Sequence, residues 1–333
     1  MNQTTFRALR VTEQSDGAFT RNIIERKMED LPQGEVLIRV HYAALNYKDA
    51  LSATGNKGVT RKYPHTPGID GAGEVVESKT DLFEVGDKVL VTSYDLGMNT
   101  DGAFAEFIRV PAEWVIPLPK EMGLKESMII GTAGLTAGIG LYKMEKMGQH
   151  PEQGPIIVTG ATGGVGSMAV SILAKAGYEV MASTGKTDAA DFLTQIGAAK
   201  IVDREFVNDD SNRPLMRPKW AGAIDTVGGS TLATLIKGCH PEGSIAACGL
   251  VSSPILSTTV FPFILNGVNL LGLDSATFPK VQRLAVWKKL ATSWRISDLE
   301  SMATTCGLEE LEPYVNAILK GGVKGRIIVD LNP

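Results

Sequence analysis

The sequence predicts an α/β protein in two parts, a sheet-rich, barrel-like unit and a doubly wound parallel sheet. Three observations carry this. Up to about residue 117, short β-like runs alternate with turn signals. Beyond about residue 155, strands alternate with helical stretches, which implies parallel strands joined by crossover helices. A glycine-rich loop lies between the first of those strands and its helix, in PIIVTGATGGVGSMAV (155–170).

The early runs are VLIRVHY (36–42), GEVVES (73–78), KVLVTS (88–93) and AFAEFIRV (103–110), with turns such as Pro32-Gln33-Gly34 and Gly86-Asp87 between them. Short strands at this spacing suggest a sandwich or barrel. One helix is expected over about 125–147. The second pattern follows: strand 155–160, helix 165–176, strand 178–184, helix 187–196, strand 200–203, strand 221–227, helix 230–239 and strand 244–250. Near the end, GLEELEPYVNAILKGG reads as helix and GRIIVDL as a strand returning to the first part. The expected division is therefore 1–126 with 277–333, and 127–276 inserted between, with an active cleft where the two meet, a common place for ligands.

At 333 residues, two domains are the default. A net charge of −4 argues against a nucleic-acid binder, whose affinity comes from cations neutralising phosphates. The hydrophobic and charged fractions, 44% and 21%, are those of an ordinary globular chain. Three cysteines without a CxxC exclude a disulfide framework or zinc ribbon, and a reducing cytoplasm fits best. The first residues carry no apolar signal core and read as mature protein. The stretch 243–273 has no formal charge, but Pro254, Pro262, Asn266 and Asn269 interrupt it. Lipid tolerates no such broken backbone, so buried strands and loops are expected and no membrane partner.

In the glycine loop, Ala161-x-Gly163-x-x-Gly166 and Gly164-x-Gly166-x-x-Ala169 both fit a dinucleotide fingerprint. Glycines let the backbone approach a pyrophosphate at a helix N-terminus. Strand, loop, helix and next strand occur in the required order, which is the confirming context. The next strand ends at Ser183-Thr184-Gly185-Lys186, where an NAD-binding chain usually carries an acid for the ribose 2′-hydroxyl. Here no acid precedes Asp188. Hydroxyls plus Lys186, with Arg204 as a second cation, suit a 2′-phosphate instead, so NADPH is the expected cofactor.

The chain resembles the medium-chain dehydrogenases/reductases, and within them the zinc-free quinone oxidoreductase branch and its acrylyl-CoA reductase (NADPH) subfamily. The resemblance rests on LNYKDAL (45–51), PGIDGAGEV (67–75), GDKVLVTSY (86–94), MIIGTAGLTA (128–137), VTGATGGVGS (158–167), WAGAIDTVGG (220–229), ACGL (247–250), PFILNGVNLLGLDS (262–275) and Gly325-Arg326. It implies a GroES-like catalytic barrel, a Rossmann domain for NADPH, and a homodimer paired through the edge strand NLLGLDS.

The resemblance also implies what is missing. Zinc enzymes of the family place Cys where Asn46 stands and a His-Glu pair where Ile69-Asp70 stand; amide and alkyl groups do not replace thiolate and imidazole on tetrahedral zinc. No metal is expected. Without a Lewis acid, a conjugated acceptor suits the chemistry, because hydrogen-bond donors suffice for the oxyanion it forms. Tyr47 is the leading catalytic candidate, as donor or proton source, with Asn46 a second donor and Asp49 anchoring the short helix after it. Asp70 is expected to be a buried structural carboxylate. To the cofactor contacts read from the residues, Thr162, Gly163, Gly164, Val165, Ser183, Thr184, Gly185, Lys186 and Arg204, the resemblance adds Tyr47 at the nicotinamide end and, by motif, Leu250, Ile264, Ser275 and Arg326. The expected substrate is an acrylyl-CoA-like enoyl thioester. A small quinone is the alternative, and a non-catalytic NADPH-binding sensor or scaffold the second.

Overall fold

Residues 4–211 and 213–332 are described by the computed structural model. Its contacts divide the chain into two units, one running through Thr132 and resuming at Asp298, the other Ala133–Ser297. The expected borders at 126/127 and 276/277 differ from these. The second shift has a clear cause. A helix not foreseen from sequence, Lys280–Ala291, packs within the second unit: the Arg283 guanidinium donates to the Ser275 carbonyl at 2.6 Å, and a side chain at Gly138 would meet Val286 at 2.9 Å.

The first unit is an antiparallel sheet built around one strand, Val36–Leu45. This strand pairs along one side with Asp70–Ser78, and along the other with Phe107–Val110 near its start and Arg326–Asp330 near its end. Residues 42–45 face the returning C-terminal strand in register Tyr42 to Asp330 through Leu45 to Ile327. Lys88–Thr92 extends the sheet beyond Asp70–Ser78, and Ala303–Gly307 joins Arg326–Asp330 in parallel. β-branched and apolar side chains of the central strand, Val36, Ile38 and Val40, are almost fully buried with Val89, Val91 and Ile108. Burial of each contributes roughly 1.5–3 kcal/mol. A hairpin, Thr5–Glu13 with Phe19–Lys27, lies outside this sheet. Of the run 103–110, only Phe107–Val110 is strand.

The second unit is a six-stranded sheet in which every pairing is parallel. Counted along the chain from Ile156–Val158 through Val180–Ser183, Lys200–Val202, Trp220–Asp225, Cys239–Ala247 and Asn269–Gly272, the spatial order is 3-2-1-4-5-6. The strands Ile156–Val158 and Trp220–Asp225 are buried at every position, as expected where helices cover both faces of a parallel sheet. The order reverses between these two strands, and ligands of such sheets bind beyond the strand carboxyl ends at that reversal. The uncharged stretch 243–273 is the end of one strand, a loop, a six-residue helix and the edge strand. Among the described residues no helix is long and apolar enough to cross a membrane.

The helix expected over 125–147 is Leu124–Lys146, but it is broken at Gly131, whose φ of 49° and ψ of −157° leave the helical region. The break matters for the site.

Candidate active site

In the first unit, the central strand runs into Asn46, and the helix Tyr47–Ala53 begins at the next residue. Asp49 fixes that junction. One carboxylate oxygen accepts the Asn46 backbone N–H at 2.8 Å, and the other accepts those of Gly68 at 3.0 Å and Ile69 at 2.8 Å. It therefore lies inside the helix, where sequence placed it before the helix. Burial, and then the negative charge of Asp70, push the Asp49 carboxyl up to about 7, although the backbone donors act the other way.

Beside this junction lies a buried polar network. Asp70 is fully buried and accepts from the Asn46 amide at 2.8 Å, the Thr132 N–H at 2.8 Å and the Thr132 hydroxyl at 2.5 Å. Burial raises its carboxyl above the ordinary range, opposed chiefly by Arg326. Arg326, 2% exposed, donates through Nε to the Ile129 carbonyl at 3.1 Å and through Nη1 to the Asn46 amide oxygen at 3.1 Å and the Leu45 carbonyl at 3.4 Å. Its Nη2 lies 3.6 Å from Asp70 Oδ2 and has no hydrogen-bond partner. Gly131 makes room for the pair: a Cβ there would lie 2.5 Å from Asp70 Oδ2 and 2.9 Å from Arg326 Nη2.

This geometry corrects one expectation. Asn46 is not a spare donor, because its amide hydrogens go to Asp70 and the Ala44 carbonyl, the latter at 3.2 Å. Arg326, carried over as a cofactor contact, makes all its hydrogen bonds inside the protein, and the structure gives it a part in holding Asn46. Asp70 is the buried carboxylate expected of it. Tyr47 stands apart: it is 46% exposed, and its hydroxyl makes no hydrogen bond to a described residue. Gly131 and Thr132 were missed as single residues, since a positive φ leaves no local signal in an apolar run.

In the second unit, the glycine loop leaves Ile156–Val158 at the sheet's reversal and opens the helix Gly164–Lys175. Gly160 has φ 59°, and a Cβ there would meet the Thr226 hydroxyl at 2.3 Å; one at Gly166 would meet the Gly160 carbonyl at 2.2 Å. The loop is thus drawn tight over the strand ends. The first N–H groups of the helix, at Gly164, Val165 and Gly166, have no acceptor within it and present a partial positive charge suited to a phosphate. Asp225, fully buried, secures the neighbouring loop by accepting from the Thr159 hydroxyl at 2.6 Å and the Gly228 N–H at 2.8 Å. Sequence reasoning passed over Asp225 and Thr226, although an acid closing a buried strand before Val227-Gly228-Gly229 is a visible signal.

The second strand ends as expected at Ser183, Thr184, Gly185 and Lys186. Ser183 is buried, and the Thr184 hydroxyl accepts the Lys186 backbone N–H at 3.1 Å. Arg204 is packed over Gly185, where a Cβ would lie 2.3 Å from its Nε. Ser183 and Thr184, Lys186 and Arg204 thus lie at the end of the strand next to the one that carries the glycine loop, the Ser183 hydroxyl donating to the Asp203 carbonyl at 3.3 Å, and the segment 183–186 contains no carboxylate. This donor set fits the pyrophosphate and a 2′-phosphate of a dinucleotide. Leu250, 66% exposed, follows Gly249, which is pressed against the Thr226 carbonyl. Ile264 and Ser275 share no hydrogen bond with the glycine loop; Ile264 is 68% exposed on the helix Phe261–Asn266. Burial, and then the charge of Asp225, push the Cys248 thiol up to about 12.

A glycine loop at the reversal of a 3-2-1-4-5-6 parallel sheet, joined in one chain to a GroES-like antiparallel unit, defines a nicotinamide-dependent oxidoreductase. Comparisons with known proteins agree. The alcohol dehydrogenase GroES-like domain family matches residues 32–120, and the zinc-binding dehydrogenase family matches residues 164–290. The chain is 43% identical over 98% of its length to a Bacillus subtilis protein, YhfP, provisionally named a quinone oxidoreductase, and covers 99% of it. It is 42% identical over 98% of its length to acrylyl-CoA reductase AcuI of Ruegeria pomeroyi, covering 99% of that chain. Among solved structures it superposes with a TM-score of 0.95 on the yhdH oxidoreductase of Salmonella enterica in complex with NADP, at 40% identity, covering 98% of this chain and 100% of that one. Against B. subtilis YhfP with NAD bound the TM-score is 0.96, at 42% identity, covering 99% and 100%. The chain belongs to the medium-chain dehydrogenase/reductase family of NAD(P)-dependent oxidoreductases.

One family name refers to zinc, but the first unit offers little to hold it. Both Asp70 oxygens are bonded to neighbours, and among the described residues no three His, Cys, Asp or Glu side chains gather as a metal site would need. Activity is expected to survive prolonged treatment with EDTA or 1,10-phenanthroline. Stoichiometric zinc by elemental analysis, with activity lost on its removal, would contradict this.

Proposed function

We propose that this chain is a zinc-independent, NADPH-dependent reductase of a C=C bond conjugated to a carbonyl, with an acrylyl-CoA-like enoyl thioester as substrate. One observation carries the reading: an exposed phenol with no partner among the described residues, Tyr47, directly follows Asn46, whose amide is held in a buried network by Asp70 and Arg326. The near-complete coverage of an acrylyl-CoA reductase supports the choice of substrate. When bound, NADPH supplies the hydride that an enoyl thioester accepts at its β-carbon. Thr162, Gly163, Gly164 and Val165 would hold its pyrophosphate, and Lys186 and Arg204 its 2′-phosphate. Tyr47 donates a hydrogen bond to the enolate oxygen that develops, and its proton or one from water completes the α-carbon. Arg326, buried and bonded to Ile129, Leu45 and Asn46, is not a cofactor contact in this reading. Leu250, Ile264 and Ser275 belong to the same reading as further contacts with the cofactor. So do a cytoplasmic location and a homodimer formed through the edge strand Asn269–Gly272, which pairs within the chain on one side only.

The similarity to YhfP favours a second reading, reduction of a small quinone. Loss of absorbance at 340 nm with acryloyl-CoA, crotonyl-CoA, 1,2-naphthoquinone and 9,10-phenanthrenequinone separates the two. Faster turnover of the acyl-CoA substrates is expected; oxidation of NADPH by the quinones alone would replace the first reading with the second.

Cofactor choice is tested separately. Lys186 and Arg204, with no acid between Ser183 and Lys186, favour NADPH over NADH by at least about tenfold, or roughly 1.4 kcal/mol. Lys186→Asp is expected to erase or invert that preference. Equal titration curves for the two cofactors in the parent protein would refute it.

A further inference from the structure

We propose that Arg326 and Asp70 are positioning residues that act through Asn46 to aim Tyr47. The inference rests on the reading of Tyr47 as the donor to substrate. The Asn46 amide is gripped from both ends. Its oxygen accepts from a guanidinium that only donates, and its nitrogen donates to a carboxylate, at 3.1 and 2.8 Å. Neither end is interchangeable, so the amide has one orientation. Arg326 is itself held at the Ile129 and Leu45 carbonyls, and Asp70 by both donors of Thr132. These anchors come from four separate stretches of the first unit, and they converge on the residue immediately before Tyr47.

Asp49 completes the arrangement by tying the Asn46 N–H to the backbone of Gly68 and Ile69. Side chain and backbone of residue 46 are therefore both fixed, and with them the start of the helix that carries the phenol. Tyr47 is 46% exposed, and its hydroxyl bonds to no described residue that would hold it. Its direction is set by the backbone beneath it. The close fit of Gly131 against the pair shows how little slack the network has.

The test is a double-mutant cycle of Arg326→Lys with Tyr47→Phe in the full-length enzyme. Lysine keeps the positive charge but has no fork to reach both the Ile129 carbonyl and Asn46. A displaced donor costs on the order of 100-fold in turnover, so Arg326→Lys is expected to lower kcat by about that factor. The Kd for NADPH, from fluorescence titration, should stay within about threefold. Combined with Tyr47→Phe, Arg326→Lys should lower kcat little further, because residues acting as a unit are non-additive. Independent, multiplying effects on kcat would overturn the proposal, as would a loss confined to cofactor affinity, which would make Arg326 a cofactor contact instead. If Arg326→Lys does not fold, Asn46→Ala takes its place in the same cycle, with the same expected and contrary results. Should Tyr47→Phe alone leave kcat unchanged, the reading of Tyr47 fails first, and the cycle reports that separately.

Discussion

Removing the Tyr47 hydroxyl while keeping the ring, as Tyr47→Phe, is expected to lower turnover by about 10- to 1000-fold, the range seen when one oxyanion donor is lost. The size of the effect follows from scarcity. The Asn46 amide hydrogens are taken by Asp70 and the Ala44 carbonyl, and the Asp70 oxygens by Asn46 and Thr132. Tyr47 is the exposed donor beside this network, and its hydroxyl bonds to no described residue; the unpartnered Arg326 Nη2 is buried. Affinity for NADPH should change little, since the phenol is assigned to the substrate oxygen. Single-turnover measurements, with reduction rate-limiting, are the proper check. An unchanged rate constant would assign Tyr47 to shaping the site and leave the oxyanion without its proposed donor.

Asp49→Ala is expected to be the most destabilising single change near the site, by roughly 3–5 kcal/mol. The methyl group leaves the N–H groups of Asn46, Gly68 and Ile69 without their acceptor at a position that solvent does not reach. The pH dependence has a definite sign. The folded carboxyl is raised from 3.8 to about 7 by burial and by Asp70. Folded protein therefore keeps a proton that the unfolded chain releases, and stability linked to Asp49 declines as pH rises through that interval. The stability gap between parent and Asp49→Ala should be wider at pH 5 than at pH 8, as read by urea unfolding. A gap that widens toward pH 8 would mean that the three backbone donors hold the group ionised, and would refute the raised value.

The parts of the fold legible in sequence are those with local signals. The glycine loop, the fully buried strands IIV and WAGAID and the returning strand RIIVD occur where the pattern puts them. Glycines bounded by a strand and a helix leave few other structures open. The helix Lys280–Ala291 was missed because its pattern misleads: Val281 is 81% exposed, whereas Arg283 is fully buried. The break at Gly131 was equally hidden. MIIGTAGLTAGIG carries no charge and offers no periodic polar face, and only Asp70 and Arg326, brought to it by folding, require a residue without a side chain. For the site, residue types were legible and their engagements were not. Asn46 and Tyr47 are neighbours in sequence with opposite situations, one held at both ends of its amide and the other exposed, with a hydroxyl that bonds to no described residue. Sequence could place both near the chemistry, but only long-range partners separate the held residue from the available one.

The most direct measurement is the position of the label in product formed from acryloyl-CoA and NADPH carrying deuterium at the transferable position of the nicotinamide, in ordinary water. Conjugate reduction places one deuterium on the β-carbon of propionyl-CoA, with the α-carbon proton drawn from Tyr47 or solvent and therefore unlabelled. Propionyl-CoA without deuterium, deuterium on the α-carbon, or no propionyl-CoA while quinones are reduced would each contradict a reductase of conjugated C=C bonds.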